Sequence, residues 1–84
     1  MTVNDAVAKR VSALLNEKGM TQYKLEKITG LPHGSMQCIM NGKNKTVTLT
    51  TVMLLSRGFG ISILEFLNDE IFFSDDLIVE PNIR

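Results

Sequence analysis

Four glycines, Gly19, Gly30, Gly42 and Gly60, cut the first sixty residues into short pieces, and most pieces open on a residue suited to start a helix. Thr2 with Asp5 three residues on has the form of a capping box, and Thr21 and Thr48 are N-cap residues. Ser62 and Glu65 repeat the box, with Ile61 and Phe66 at the positions of a hydrophobic staple. Apolar residues recur at helical spacing inside each piece: Val3, Val7, Val11, Leu14 and Leu15, then Met36, Ile39 and Met40, then Leu49, Val52, Met53, Ser56 and Phe59. The reading is all-α, a compact five-helix domain. Helix 1 and helix 4 are expected to enclose a pair of short helices separated by the Gly30-Leu31-Pro32 turn. Met36, Met40 and Met53 are read as core packing.

A chain of 84 residues fills one hydrophobic core and no more. With 44% hydrophobic residues it is too apolar for disorder. Apolar runs are too short for a membrane span. Met1 to Asp5 lacks the charged start and apolar stretch of a secretory signal, so a cytoplasmic location is expected. One cysteine, Cys38, and one histidine, His33, form neither a disulfide nor a zinc shell, so no metal and no cofactor is expected. There is no glycine-rich phosphate loop and no second histidine to activate Cys38, which argues against an enzyme and a small-molecule substrate. The net charge of zero conceals an asymmetry: residues 1–60 sum to +5 and residues 61–84 to −5. A basic body is what an anionic partner requires.

The stretch from Thr21 to about Lys45, TQYKLEKITGLPHGSMQCIMNGKNK, resembles the helix-turn-helix of the phage-repressor and Cro-like (XRE-type) regulators. The similarity continues helix for helix to the Ser62-x-x-Glu65 box and Phe66. It implies a lambda-repressor-like fold whose partner is double-stranded DNA, with the first helix of the pair across the phosphate backbone and the second in the major groove. By position, His33, Gly34 and Cys38 match the family's main base-contacting sites. Gln37 matches a site that more often faces solvent, yet it can pair with adenine if the helix tilts. Gln22 matches the glutamine that donates to a phosphate. Thr21, Ser35, Asn41, Lys43 and Lys45 complete the expected backbone contacts.

Two residues depart from the family pattern. Glu26 stands where a small alanine usually packs between the two helices, so it is expected either to splay the pair or to turn its carboxylate outward. Pro32 replaces a hydroxyl N-cap but pre-sets the entry to the second helix. With glycine and cysteine at two reading positions, base discrimination is expected to be weak or to come through groove shape.

Residues 1–68 are read as the DNA-binding domain and residues 69–84 as an acidic and apolar tail. Phe66, Leu67, Ile71, Phe72 and Phe73 form an apolar set too large to leave bare on a small monomer, and a homodimer contact is expected there. The rival to a DNA-binding repressor is a protein-binding module on the same fold, such as an antitoxin or anti-repressor. Gln22, Asn41, Lys43 and Lys45 on one face favour the DNA reading. An ordinary exposed histidine at position 33 and a merely solvated lysine face are the plain alternatives at those positions.

Overall fold

Helix starts in this chain are mostly made by side chains that bond backbone three residues ahead, and the computed structural model, which describes residues 1–43, 46–79 and 81, has such a cap at four of its five helices. These are α1 (Val3–Lys18), α2 (Gln22–Thr29), α3 (His33–Met40), α4 (Leu49–Phe59) and α5 (Ile63–Leu67), followed by a 3₁₀ turn at Glu70–Phe72. The architecture is all-α, and among the described residues the one β element is an isolated parallel bridge between Thr2 and Ile78. The box at α1 is reciprocal: Asp5 N–H donates to Thr2 Oγ1 (3.1 Å) and Thr2 N–H to Asp5 Oδ2 (3.1 Å). That bonding, the backbone N–H first and the hydroxyl second, holds the Asp5 carboxyl below its ordinary pKa. Thr21, Thr48 and Ser62 accept from the N–H groups of Lys24, Thr51 and Glu65.

The ends are equally local in origin. At the close of α3, Gly42 N–H donates to Ile39 O (3.1 Å) and Lys43 N–H to Cys38 O (3.0 Å), the two bonds of a Schellman motif. Gly42 has φ +67°, and a Cβ there would stand 2.7 Å from Asp5 Oδ1, so a side chain is excluded by conformation and by space alike. The N-terminus of α1 is thereby pressed against the turn that leaves α3.

All five helices feed one core: Val7, Val11 and Leu14 from α1, Leu25 from α2, Met36 and Ile39 from α3, Val52, Leu55 and Phe59 from α4, and Phe66 from α5. Packing pairs α2 with α4 and α1 with α3, so the two longest helices flank the short pair as expected. The α4 stripe is narrower than its sequence suggests. Val52, Leu55, Ser56 and Phe59 are buried, whereas Leu49 in the first turn and Met53 are exposed. Met53 follows Val52 by one residue, a rotation of about 100° about the helix axis, which carries it off the core face. Met53 is therefore not core packing, in contrast to Met36 and the half-buried Met40.

The segment after α5 is docked on the domain. Arg10 of α1, whose side chain is 14% exposed, donates from Nε to Phe66 O (2.7 Å) and from Nη2 to Glu65 O (2.8 Å), and pairs with Asp69 (3.4 Å). It thus supplies a donor to Phe66 O at the end of α5 and a second one to Glu65 O, which also accepts from Asn68 N–H (3.2 Å). Phe72 packs on the core with its ring centroid 6.2 Å from that of Phe66, and Ile78 N–H donates to Met1 O (2.8 Å). Phe66 itself is fully buried. It belongs to the core, which removes it from the apolar set expected at a dimer contact. Leu67, Ile71 and Phe72 are half-buried, and Phe73 is 65% exposed. Leu64, not singled out in the sequence, is 79% exposed. It lines a surface groove of about 460 Å³ with Leu67 and Phe73.

Candidate nucleic-acid interface

Burying Met36 and Ile39 fixes the rotation of α3, and the opposite side of that helix is open. His33, Gly34, Ser35, Gln37 and Cys38 are all exposed, and no part of the described chain covers them. Pro32 supplies the N-cap position without a side-chain hydrogen bond, so the N–H groups of the first turn of α3 lack the cap that Thr21 gives α2. Thr21 and Pro32, the N-cap residues of the two short helices, are both exposed, so the positive ends of these helices are open to solvent.

Around this face stand the residues expected to meet a backbone. Thr21 is exposed, and its oxygen accepts from Lys24 N–H (3.1 Å), which leaves the hydroxyl proton available to a partner. Asn41 and Lys43 are exposed beside the Schellman turn. Lys45 lies outside the described residues. Lys24 and Lys27 are exposed on α2, and the Lys27 ammonium sits 5.3 Å from the centroid of the Tyr23 ring, itself exposed.

Glu26 occupies the seam between α2 and α3. Its side chain is 11% exposed, and its carboxylate neither turns outward nor stands without partners. Gln22 Nε2 donates to Glu26 Oε2 (3.0 Å) and to Gln37 Oε1 (3.2 Å), and His33 Nδ1 lies 2.8 Å from the same Glu26 oxygen. Donation from Gln22 first and His33 second holds Glu26 below the ordinary carboxylate pKa, so it is ionised at neutral pH. Both amide protons of Gln22 are committed in this arrangement. Its expected donation to a phosphate therefore needs these two bonds to be exchanged. Among the described residues no group of three His, Cys, Asp or Glu side chains could hold a metal ion, and no helix is long and apolar enough to cross a membrane.

Residues 10–70 match the family model of the Cro/C1-type HTH DNA-binding domain. The chain belongs to that family. No curated protein and no solved structure matches it. The matched span of this Cro/C1-type domain begins at Arg10 and closes at Glu70, so it includes the arginine and the Asp69 carboxylate that tie α1 to the end of α5.

Sequence reasoning located the α3 face but missed Glu26 as a member of the site. A partial signal was present, because Gln22 and Glu26 are four residues apart on one helix and so share a face. The reach to His33 depends on the turn between helices, which spacing does not specify.

Proposed function

We propose that this Cro/C1-type domain is a transcriptional repressor that binds double-stranded DNA in a sequence-specific way, with α3 in the major groove and the start of α2 against the phosphate backbone. The observation that carries this reading is the exposed outer face of α3, from His33 to Cys38, to which Gln22 at the start of α2 is bonded through Gln37. On it, His33 and Gln37 supply hydrogen-bonding groups, Cys38 meets a thymine methyl, and Gly34 admits close approach to the bases. Thr21, the backbone of Gln22, Ser35, Asn41, Lys43 and Lys45 hold phosphates.

A homodimer is part of the proposal. The exposed Leu64 and Phe73, which line one groove with Leu67, offer an apolar patch to a second copy, and the half-buried Ile71 and Phe72 belong to the same apolar set in the sequence. Two copies related by a twofold axis present their reading helices about 34 Å apart, one turn of B-form DNA. The setting is the cytoplasm of the cell that makes the protein.

Selection of bound duplexes from a random pool at moderate salt tests the proposal. The expected result is enrichment of a two-fold site with half-sites about ten base pairs apart. A pool that remains random, with no complex even at low salt, refutes it. Enrichment of a single half-site refutes the dimer alone.

A further inference from the structure

We propose that Glu26 is a positioning residue that decides which hydrogen-bonding atoms α3 presents to a base edge, an inference that rests on the duplex-reading role proposed above. An ionised carboxylate can only accept hydrogen bonds. Whatever stands against it must therefore turn a donor inward and leave its other atom free.

For His33 the consequence is a fixed tautomer. Nδ1, at 2.8 Å from Glu26 Oε2, has to carry a proton, so in the neutral ring the outward nitrogen is Nε2 and is an acceptor. The imidazole is 68% exposed, so this nitrogen is accessible. For Gln22 the consequence is a fixed amide. Its NH₂ group faces the carboxylate at 3.0 Å, because the reversed amide would set oxygen against oxygen. The second proton of the same NH₂ reaches Gln37 Oε1 at 3.2 Å and so turns the NH₂ of Gln37 away from α2. One acceptor at the seam between two helices thereby propagates through three side chains.

The face that results is polarised: an acceptor at His33 and a donor at Gln37. In the major groove the exocyclic amines of adenine and cytosine donate, whereas guanine offers only acceptors. His33 therefore selects adenine or cytosine on the strand it meets, rather than donating to guanine as a histidine with a free tautomer can. A small residue at position 26 would leave both the ring and the two amides free to turn.

The test pairs a measurement on the free protein with one on the complex. Nitrogen-15 NMR of His33 at about pH 8.5, above the ordinary imidazole range, reports which ring nitrogen holds the proton. The wild-type ring is expected to hold it on Nδ1, and Glu26→Ala to move it mainly to Nε2, the site an unconstrained imidazole prefers. Duplexes carrying the selected site are then varied at the base pair whose preference His33→Ala abolishes. Wild type should favour adenine or cytosine over guanine by about fivefold, the ratio that one neutral hydrogen bond supports. Glu26→Ala should erase or reverse that ratio. Glu26→Met, which keeps the seam filled without an acceptor, takes its place if the alanine variant does not fold. A wild-type ring protonated on Nε2 overturns the proposal, and so does a tautomer that moves while base preference stays the same. A wild-type chain that binds no duplex refutes the proposed function and the reading role together, whereas the NMR result still decides the fixed tautomer on its own.

Discussion

Replacing Gly58 by alanine and, separately, Gly34 by alanine sets the same chemical change in two surroundings. Both glycines lie inside helices, so each substitution gains about 0.5 to 1 kcal/mol of helix propensity. At Gly34 a Cβ meets nothing within 4 Å. At Gly58 it would stand 2.7 Å from Thr29 Cγ2 and 2.8 Å from Leu25 Cδ1, both on α2. Carbon atoms rest about 3.5 to 4.0 Å apart, so α2 and α4 must part by roughly 0.8 Å or a side chain must swing. Neither side chain is free to do so. Leu25 is fully buried, and the Thr29 hydroxyl donates to Leu25 O (2.8 Å) while accepting from Leu31 N–H (3.2 Å), bonds that hold the turn into α3. Overpacking of this kind costs about 1 to 3 kcal/mol, which leaves Gly58→Ala about 1 kcal/mol less stable than wild type. Gly34→Ala should be more stable by most of its propensity gain. The two variants are then separated by about 2 kcal/mol, or roughly 8 to 16 °C in Tm for a domain of this size. Urea titration followed by circular dichroism measures the difference directly. If Gly58→Ala proves as stable as Gly34→Ala, the close approach of α2 and α4 is wrong, and with it the angle at which α3 is held.

Arg10→Met should cost about 1 to 3 kcal/mol, because it strips the donor from Phe66 O and leaves Glu65 O with Asn68 N–H alone. Amide exchange at Ile78 should rise with it, and an unchanged rate would show that the tail docks without the arginine. Asp5 and Glu26 have depressed pKa values in the folded chain, so their contributions are complete above the unfolded carboxylate range and fade as pH falls below about 4. Asp5→Asn and Glu26→Gln should each flatten the acid limb of a stability profile, and a profile identical to wild type would contradict the bonding described for that residue. Lys43→Ala should reduce the steepness of log K against log salt by about 0.9 on every duplex tested, as loss of one phosphate contact requires. A slope equal to that of wild type would return Lys43 to the plain solvated surface.

Features set within three or four residues were legible in the sequence. Thr2, Thr21, Thr48 and Ser62 cap helices because a short hydroxyl side chain reaches an N–H three residues ahead, and Gly42 ends α3 because the chain there needs a positive φ. The outward face of α3 followed from the periodicity of Met36 and Ile39. Features that join distant segments were not legible. Arg10 counted as one more cation of a basic body, yet its partners lie more than fifty residues away and it serves the tail instead. Phe66 was grouped with the apolar tail because composition cannot tell which aromatic residue turns inward. Leu49 and Met53 had the right spacing for a core stripe, but which part of a helix finds a partner is a tertiary matter.

Glu26 shows why a departure from the family pattern carries more information than agreement with it. An acid inside a basic body weakens attraction to phosphate, and an acid in the seam of two helices loses hydration, so its presence needs a compensating interaction. Hydrogen bonds from Gln22 and His33 provide one, since donors on a charged acceptor are stronger than neutral pairs. What they hold in return is orientation: three side chains that would otherwise sample several amide and tautomer states are ordered before any partner arrives. Ordering beforehand lowers the entropy lost on binding, and a face with one fixed pattern of donors and acceptors rejects the wrong base by leaving its polar groups unpaired. On this argument Glu26 exchanges some general attraction for selectivity, and its removal should strengthen binding to unrelated duplexes while narrowing the gap between right and wrong sites.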